Sequence, residues 1–418
     1  MRARSLLAAL LVSSVITGIP VAGKAATGAG RPPALRSDLP SRAIGQVGWQ
    51  HRIDALVGDR RMSVTIGDNG AFWYRHLAGV RRRPASNEKL LLSMALLATV
   101  GPERAIQTRA MSAGAPVDGV IGGDLWLVGH GDPELAPDAL NALAQQIGLA
   151  GVTRIEGSVI GDTGPFKRDW WAPGWKSNFP EDEVAIPTAL TFRANIGPEG
   201  RHIDDPELRA ATYLTRALRR RGIKVNGPAG VGPSNGKQVK IAAIGSAPVI
   251  DILRRMDVRS LNFYAEVLGK VLGADVSGIG SIAAGAAALD AFTKANGAPR
   301  FVSRDASGLS YANRATTKGM VRLLWAADRQ PWGSELRFAL PTGGQGTLQG
   351  RLGRTRVRAK TGTLKSVSAL SGWVWSDTTQ DWIEFSILSD GLDKDEAVRI
   401  EDAIVRLVSA ARPPRETS

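Results

Sequence analysis

Two runs near the amino-terminal end, Ala55–Ile66 and Gly70–Leu77, are rich in apolar and β-branched residues, and Gly67-Asp68-Asn69 between them is turn chemistry, so the pattern predicts a hairpin. Pro84-Ala85-Ser86 then opens a segment, Lys89–Leu97, that is apolar on nearly every side. A helix of that kind has no face to give to water, which predicts a buried central helix. From Gly101 to about Pro248 the texture changes. Short apolar runs such as Asp124–Val128 and Val152–Ile160 alternate with Gly, Pro and Asp, and only Pro206–Arg221 reads as a helix. Helical texture returns at Val249–Arg255, Phe263–Leu272 and Ile282–Ala295. Three short strands follow, Arg356–Lys360, Ala369–Trp375 and Trp382–Leu388. The last element is an amphipathic helix, Lys394–Ala411, with Ala397, Ile400, Ile404, Leu407 and Val408 on its apolar face. Asp395, Glu396, Glu401 and Asp402 on its polar face argue for packing on a sheet and against lying on a membrane.

The two strands before the buried helix and the three near the end together predict one five-stranded antiparallel sheet with flanking helices, an α+β fold. The strand-rich stretch 101–248 is then an insertion forming extra domain material, which splits the main domain into 37–100 and 249–418. Residues 1–23 carry the marks of a secretory signal peptide. Met1-Arg2-Ala3-Arg4 is the positive end, Ser5–Gly23 is uncharged and apolar, and Ala22, Gly23, Ala25 and Ala26 are small. Gly18 and Pro20 interrupt that stretch and leave it short for a membrane anchor, and no later window approaches about 18 apolar residues. Residues 24–36 read as a flexible lead-in. The chain is therefore expected outside the cytoplasm.

Composition narrows the chemistry. The 418 residues include no cysteine, which removes disulfides, Cys-type zinc sites, iron–sulfur clusters and thiol catalysis. The four histidines, His51, His76, His130 and His202, are scattered and match no metal-binding spacing, so no metal is expected. Lys and Arg number 53 against 39 Asp and Glu, a net charge of +14, partly in runs at Arg81-Arg82-Arg83, Arg219-Arg220-Arg221 and Arg254-Arg255. No zinc-finger spacing or aromatic-interleaved pattern accompanies them, so no nucleic-acid partner is expected. For an exported chain the anionic partners in reach are envelope polymers or lipid head groups, and solvated arginine faces account for the runs equally well.

Without cysteine and with little histidine, a serine activated by a lysine is the remaining nucleophile to look for. Ser86-Asn87-Glu88-Lys89 supplies one, since residues three apart share a helix face and the helix start favours developing negative charge. The tetrapeptide alone is weak evidence: a second copy, Ser234-Asn235-Gly236-Lys237, has no helix to align it, and Ser86 would serve equally as a plain N-cap. Ser260-Leu261-Asn262 places a hydroxyl and an amide between two helices, where an N-cap is again the plain alternative. Lys360-Thr361-Gly362-Thr363 closes a strand, its lysine supplying a cation and its glycine allowing a ligand backbone to approach. SxxK on a buried helix, SxN between helices and KTG on a strand, in that order, form the penicillin-binding and serine β-lactamase signature, here with Leu261 where the class A enzymes have Asp.

On these motifs the chain resembles the D-alanyl-D-alanine carboxypeptidase/endopeptidases, the class C low-molecular-mass penicillin-binding proteins, over most of its length from about Ala55. Supporting stretches are Gly123–Pro133, Asp305–Ser310 and Leu340–Leu348. The spacing of 174 positions from Ser86 to Ser260 also fits a family with two extra domains at that point. The resemblance implies a bacterial envelope enzyme that cuts peptidoglycan stem peptides through an acyl-enzyme on Ser86. Lys89, kept neutral by burial and by nearby Lys360, would be the base, and Ser260 would relay a proton to the leaving amine. Asn262 would hold the substrate amide, and Lys360 with the Thr361 and Thr363 hydroxyls would bind the terminal carboxylate. The oxyanion would lie between the Ser86 and Thr363 amides, with Gly362 admitting the substrate backbone. β-Lactams are implied as covalent inhibitors, and no metal or organic cofactor is called for. Tyr311-Ala312-Asn313 stands where the family would have Arg-Tyr-Asn, and as a YxN it is a second choice for the middle motif. Thr342 replaces a more apolar family residue. A β-lactamase of the same superfamily and a non-catalytic wall-binding protein are the alternatives. Gly278-Ile279-Gly280-Ser281-Ile282-Ala283 reads as a helix-entry turn and not a dinucleotide site, and Trp170, Trp171 and Trp175 as packing more than sugar stacking.

Overall fold

The computed structural model of the chain describes residues 48–414. The expected signal peptide and lead-in, residues 1–36, lie outside the described residues. Helix α1 (Gly48–Val57) leads into the hairpin of β1 (Met62–Asp68) and β2 (Ala71–His76), followed by α2 (Asn87–Val100). Strand β1 thus starts seven residues later than the sequence pattern predicted, because Ala55–Val57 belong to α1. That helix buries Gln50, Ile53 and Val57, a helical and not an alternating spacing.

The next stretch holds β3 (Ala105–Ser112), β4 (Val120–Ile121), β5 (Leu125–Val128), α3 (Pro137–Leu149), β6 (Arg154–Ile155) and β7 (Val159–Asp162). It continues with α4 (Phe179–Asp182), α5 (Pro206–Arg220), β8 (Lys224–Val225), β9 (Gly230–Gly232) and β10 (Val239–Pro248). These strands form a five-stranded mixed sheet, β10-β3-β5-β7-β9, and a small parallel one, β4-β6-β8. The run Val152–Ile160, expected as one strand, divides between the two sheets on either side of Gly157, whose amide bonds Gly123. Helix α3 was not anticipated, although its buried Leu140, Leu143, Ala144 and Ile147 have helical spacing. It and α5 cover a separate apolar cluster that includes Leu125, Leu127, Leu214 and Leu218.

After β10 come α6 (Val249–Arg259), α7 (Asn262–Ser277), α8 (Ile282–Ala295), α9 (Thr317–Asp328) and α10 (Gly333–Ala339). Three long strands, β11 (Val357–Leu364), β12 (Val367–Ser376) and β13 (Asp381–Asp390), and α11 (Lys394–Ser409) end the described chain. The sheet order β11-β12-β13-β1-β2 is antiparallel throughout, the five-stranded sheet that the hydrophobic pattern predicts. Its side chains divide with period two. Ala369 and Trp373 face the cluster around α2, whereas Leu370 and Val374 face α1 and α11. Helix α2 is buried from Asn87 through Leu97 and packs on α6, α7, α8 and the sheet. Leu90, Leu91 and Leu92 are each wholly buried, which stabilises the fold by roughly 2 kcal/mol per side chain. One face of α11 departs from expectation. Glu401 and Asp402 are buried, because Arg351 pairs with both at 2.9 and 2.7 Å and Ser368 donates to Glu401 at 2.6 Å.

Candidate active site

Packing fixes the start of α2 against the free edge of β11. Ala85 turns the chain with a left-handed φ of 47°, strain of about 1 kcal/mol for a residue with a Cβ. Ser86 follows, and its hydroxyl makes no cap bond to the helix. Asn87 donates from Nδ2 to the Lys360 carbonyl at 2.9 Å, tying helix to strand. Gly362 completes the junction: a Cβ there would lie 2.8 Å from the Pro84 carbonyl oxygen and 3.0 Å from the Ser86 nitrogen.

One turn into α2, the Nζ of Lys89 reaches the Ser86 Oγ at 3.1 Å, the Asn262 Oδ1 at 2.8 Å and the Ser307 carbonyl at 2.6 Å. Ser260 is not an N-cap. It ends α6 in the left-handed conformation, φ 57°, and Asn262 begins α7 two residues on. The sharp corner aims both side chains at one cleft. Lys360 donates to the Ser260 Oγ and to the Thr361 carbonyl, both at 3.0 Å. Ser86, Ser260, Asn262 and Thr363 line a cleft of about 240 Å³, together with Lys176, Phe179, Glu183, Leu309, Tyr311, Leu364 and Lys365. Lys89 and Lys360 are wholly buried beneath it, and Thr361 and Gly362, buried in β11 between Lys360 and Thr363, are not part of its lining. The three motifs, 274 residues apart from first to last, therefore meet in one place.

Burial dominates the electrostatics. It pushes Lys89 down to about 8 against the pull of Asp305, Glu266, Asp257 and Glu183. Burial also lowers Lys360, and the charge of Lys89 lowers it further, while Asp257 opposes. Burial thus holds both amines below the ordinary lysine range, and their mutual repulsion works in the same direction. Asp257 is itself raised by burial and held by the Ser93 hydroxyl at 2.7 Å.

Several participants had no separate motif. Buried Asp305 accepts from the Gly308 and Ser310 amides, from Asn313 Nδ2 and from the Trp175 indole, at 2.6–3.0 Å. That network shapes the Asp305–Ser310 loop and presents the Ser307 carbonyl to Lys89. It also disposes of Tyr311-Ala312-Asn313 as the middle motif, since Asn313 is buried inside the loop and only Tyr311 reaches the cleft. Glu183, which accepts from Asn262 Nδ2 at 3.2 Å, comes from the segment between β7 and α5, and nothing in its local sequence marks it. The second SxxK lies elsewhere, with Ser234 bonded to Asp162 at 2.9 Å. Trp175 is buried and Trp170 bonds the Val184 carbonyl, as packing residues do, while Trp171 is half exposed. Gly278 caps the end of α7 in the left-handed region, with no strand before it to hold a dinucleotide. Among the described residues no group of three His, Asp or Glu side chains is arranged to hold a metal ion.

The sequence matches the D-Ala-D-Ala carboxypeptidase 3 (S13) family over residues 54–196 and 177–411. It is 28% identical to a D-alanyl-D-alanine carboxypeptidase of Actinomadura sp. (strain R39), with 86% of this chain and 84% of the relative aligned. A carboxypeptidase of Mycobacterium tuberculosis is 30% identical, over 81% of this chain and 77% of its own. The fold is similar to that of penicillin-binding protein 4 from Haemophilus influenzae, with a TM-score of 0.75 at 19% identity, covering 88% of this chain and 100% of that one. The Haemophilus protein has also been solved with a β-lactam bound.

Proposed function

The chain belongs to the D-Ala-D-Ala carboxypeptidase 3 (S13) family, and from that premise we propose that it hydrolyses peptidoglycan stem peptides ending in D-Ala-D-Ala, with Ser86 as nucleophile. The observation that carries this is the buried Lys89 amine, 3.1 Å from the Ser86 hydroxyl. In its neutral form the amine takes the Ser86 proton as Oγ bonds to the carbonyl carbon of the penultimate D-Ala. The oxyanion lies between the Ser86 and Thr363 amides, a donor pair fixed before substrate arrives. The tetrahedral centre then collapses, the peptide C–N bond breaks, and the leaving nitrogen takes its proton through Ser260. Water, deprotonated in turn, cleaves the ester and frees Ser86; a second peptide amine does the same in transfer. Asn262 holds the amide side of the substrate.

Lys360 and the hydroxyls of Thr361 and Thr363 take the terminal carboxylate. A carboxylate beside Lys360 favours its ammonium form, and repulsion from that ammonium favours neutral Lys89, so substrate binding itself readies the base. A β-lactam offers the same acyl and carboxylate groups and forms an ester on Ser86 that water releases slowly. We also read 101–248 as an insertion in a catalytic domain made of 37–100 and 249–418, its Glu183 and Lys176 bordering the cleft. No described helix is long and apolar enough to cross a membrane. An extracytoplasmic enzyme beside an anionic wall suits both this substrate and the +14 charge.

Mass spectrometry after a fluorescent penicillin tests the reading. The wild type gains one adduct, on the peptide containing Ser86, and Ser86→Ala gains none. An equal adduct on Ser86→Ala refutes it, and rapid turnover of the drug points to a β-lactamase instead.

A further inference from the structure

Among the described residues, Asn262 is the one side chain hydrogen-bonded both to the proposed base and to the insertion. Its amide can face Lys89 in two ways, with the oxygen or with the nitrogen, and the two are not equivalent for catalysis. A neutral amine has two N–H bonds and one lone pair. The Ser307 carbonyl, 2.6 Å away, accepts only and takes one N–H. If Asn262 presents Oδ1, at 2.8 Å, it takes the other, and the lone pair is left for the third neighbour, the Ser86 hydroxyl at 3.1 Å. If Asn262 presents Nδ2, its N–H competes with the Ser86 hydroxyl for that lone pair and the base is misdirected.

Glu183 decides between them. A carboxylate only accepts, so at 3.2 Å from the far end of the Asn262 amide it selects the orientation with Nδ2 outward and Oδ1 toward Lys89. Its backbone is well placed to hold it there. The Glu183 amide bonds the Phe179 carbonyl at 2.9 Å, its neighbours Val184 and Ala185 are buried, and the Trp170 indole bonds the Val184 carbonyl. The second N–H on Nδ2 stays available for a substrate carbonyl.

Resting on the acyl-enzyme reading above, we propose that Glu183 is a positioning residue: by holding Nδ2 of Asn262 it fixes Oδ1 on Lys89 and so turns the Lys89 lone pair onto the Ser86 hydroxyl. The insertion thereby takes part in chemistry whose reacting groups all lie outside it. Lys89 is faced by Glu183 across Asn262, by Asp305 and Glu266 from the loop and α7, by Asp257 from α6 and by Lys360 from β11, and of these only Glu183 touches Asn262.

The test is the second-order rate of acylation by fluorescent penicillin, followed from pH 6 to 10 on the full chain. Glu183→Ala, which leaves the amide free to turn, lowers the alkaline plateau about tenfold or more. Glu183→Gln retains an acceptor of the same shape and recovers much of that loss. Both variants remove a negative charge that favours protonated Lys89, so the acid limb moves to lower pH in both. An alkaline plateau in Glu183→Ala that matches the wild type, whether or not the acid limb moves, overturns the proposal. If instead Ser86→Ala acylates like the wild type, the acyl-enzyme reading itself has failed, whatever Glu183 does.

Discussion

Two tetrapeptides in this chain read almost alike, Ser86-Asn87-Glu88-Lys89 and Ser234-Asn235-Gly236-Lys237, and they fold into opposite things. In the first, the helix brings Lys89 to 3.1 Å from Ser86, and burial withholds water from the amine. In the second, Ser234 gives its hydroxyl and its amide to Asp162, at 2.9 and 3.0 Å, and thereby seals a loop. Asn87 ties a helix to the strand carrying Lys360, 273 residues away, whereas Asn235 accepts from the amide of Lys237, two residues on. Lys89 is wholly buried and Lys237 is exposed. A neutral lysine at ordinary pH requires desolvation, so the motif becomes a base only where tertiary structure buries it.

The lysines give the largest expected difference. Lys89→Ala removes the proposed base for Ser86 and should lower penicillin acylation by about 10²- to 10⁴-fold, the usual worth of a general base. Lys237→Ala leaves the rate within about twofold, as surface changes do. Equal losses in the two variants, measured by gel fluorescence of the labelled protein, would erase the distinction drawn between the sites.

The glycines come next. Gly362→Ala inserts a Cβ 2.8 Å from the Pro84 carbonyl and 3.0 Å from the Ser86 nitrogen, both backbone atoms that cannot swing aside. The start of α2 and the edge of β11 must separate by a few tenths of an ångström. Acylation should fall roughly 10- to 100-fold, since misplacement by an ångström costs that much, and stability by about 1–3 kcal/mol. Gly236→Ala meets no atom but must adopt φ 69°, which costs about 1 kcal/mol of stability, read as a lower melting midpoint, and nothing in acylation. Unchanged acylation in Gly362→Ala would show that the strand edge is not held against Ser86 as described.

The same contrast explains what the sequence could disclose. The five-stranded sheet and buried α2 were legible because apolar runs bounded by turns survive any packing arrangement. The SxxK, SxN and KTG motifs were legible as an ordered set, and the second SxxK showed why one alone was not. What escaped depends on partners distant in sequence. Glu401 and Asp402 look like solvated acids until Arg351 is brought to them. Glu183 has no signature because its role is a contact with Asn262, 79 residues on. Helices α1 and α3 do carry a sequence signal, the helical spacing of Ile53 and Val57 and of Leu140, Leu143 and Ile147.

The third positions of the two tetrapeptides give the smallest effect on catalysis and the sharpest one on stability. Gly236 turns an exposed loop, whereas Glu88 is buried beside Ser303, whose hydroxyl donates to it at 2.5 Å. Burial holds the Glu88 carboxyl well above its ordinary value of 4.5, with Asp305, Asp290 and Glu266 adding to the shift and the Ser303 bond opposing it. The folded chain therefore keeps a proton that the unfolded chain releases, and stability from this group is complete below about pH 4.5 and declines as pH rises toward the raised value. Glu88→Gln is neutral at every pH, has the same shape and still accepts from Ser303. It should acylate within about twofold of the wild type. Its melting midpoint, measured relative to the wild type, should improve steadily from pH 5 to pH 8. A difference that stays constant over that range would mean that Glu88 is ionised in the fold, and that burial beside the proposed nucleophile does not by itself neutralise what it encloses.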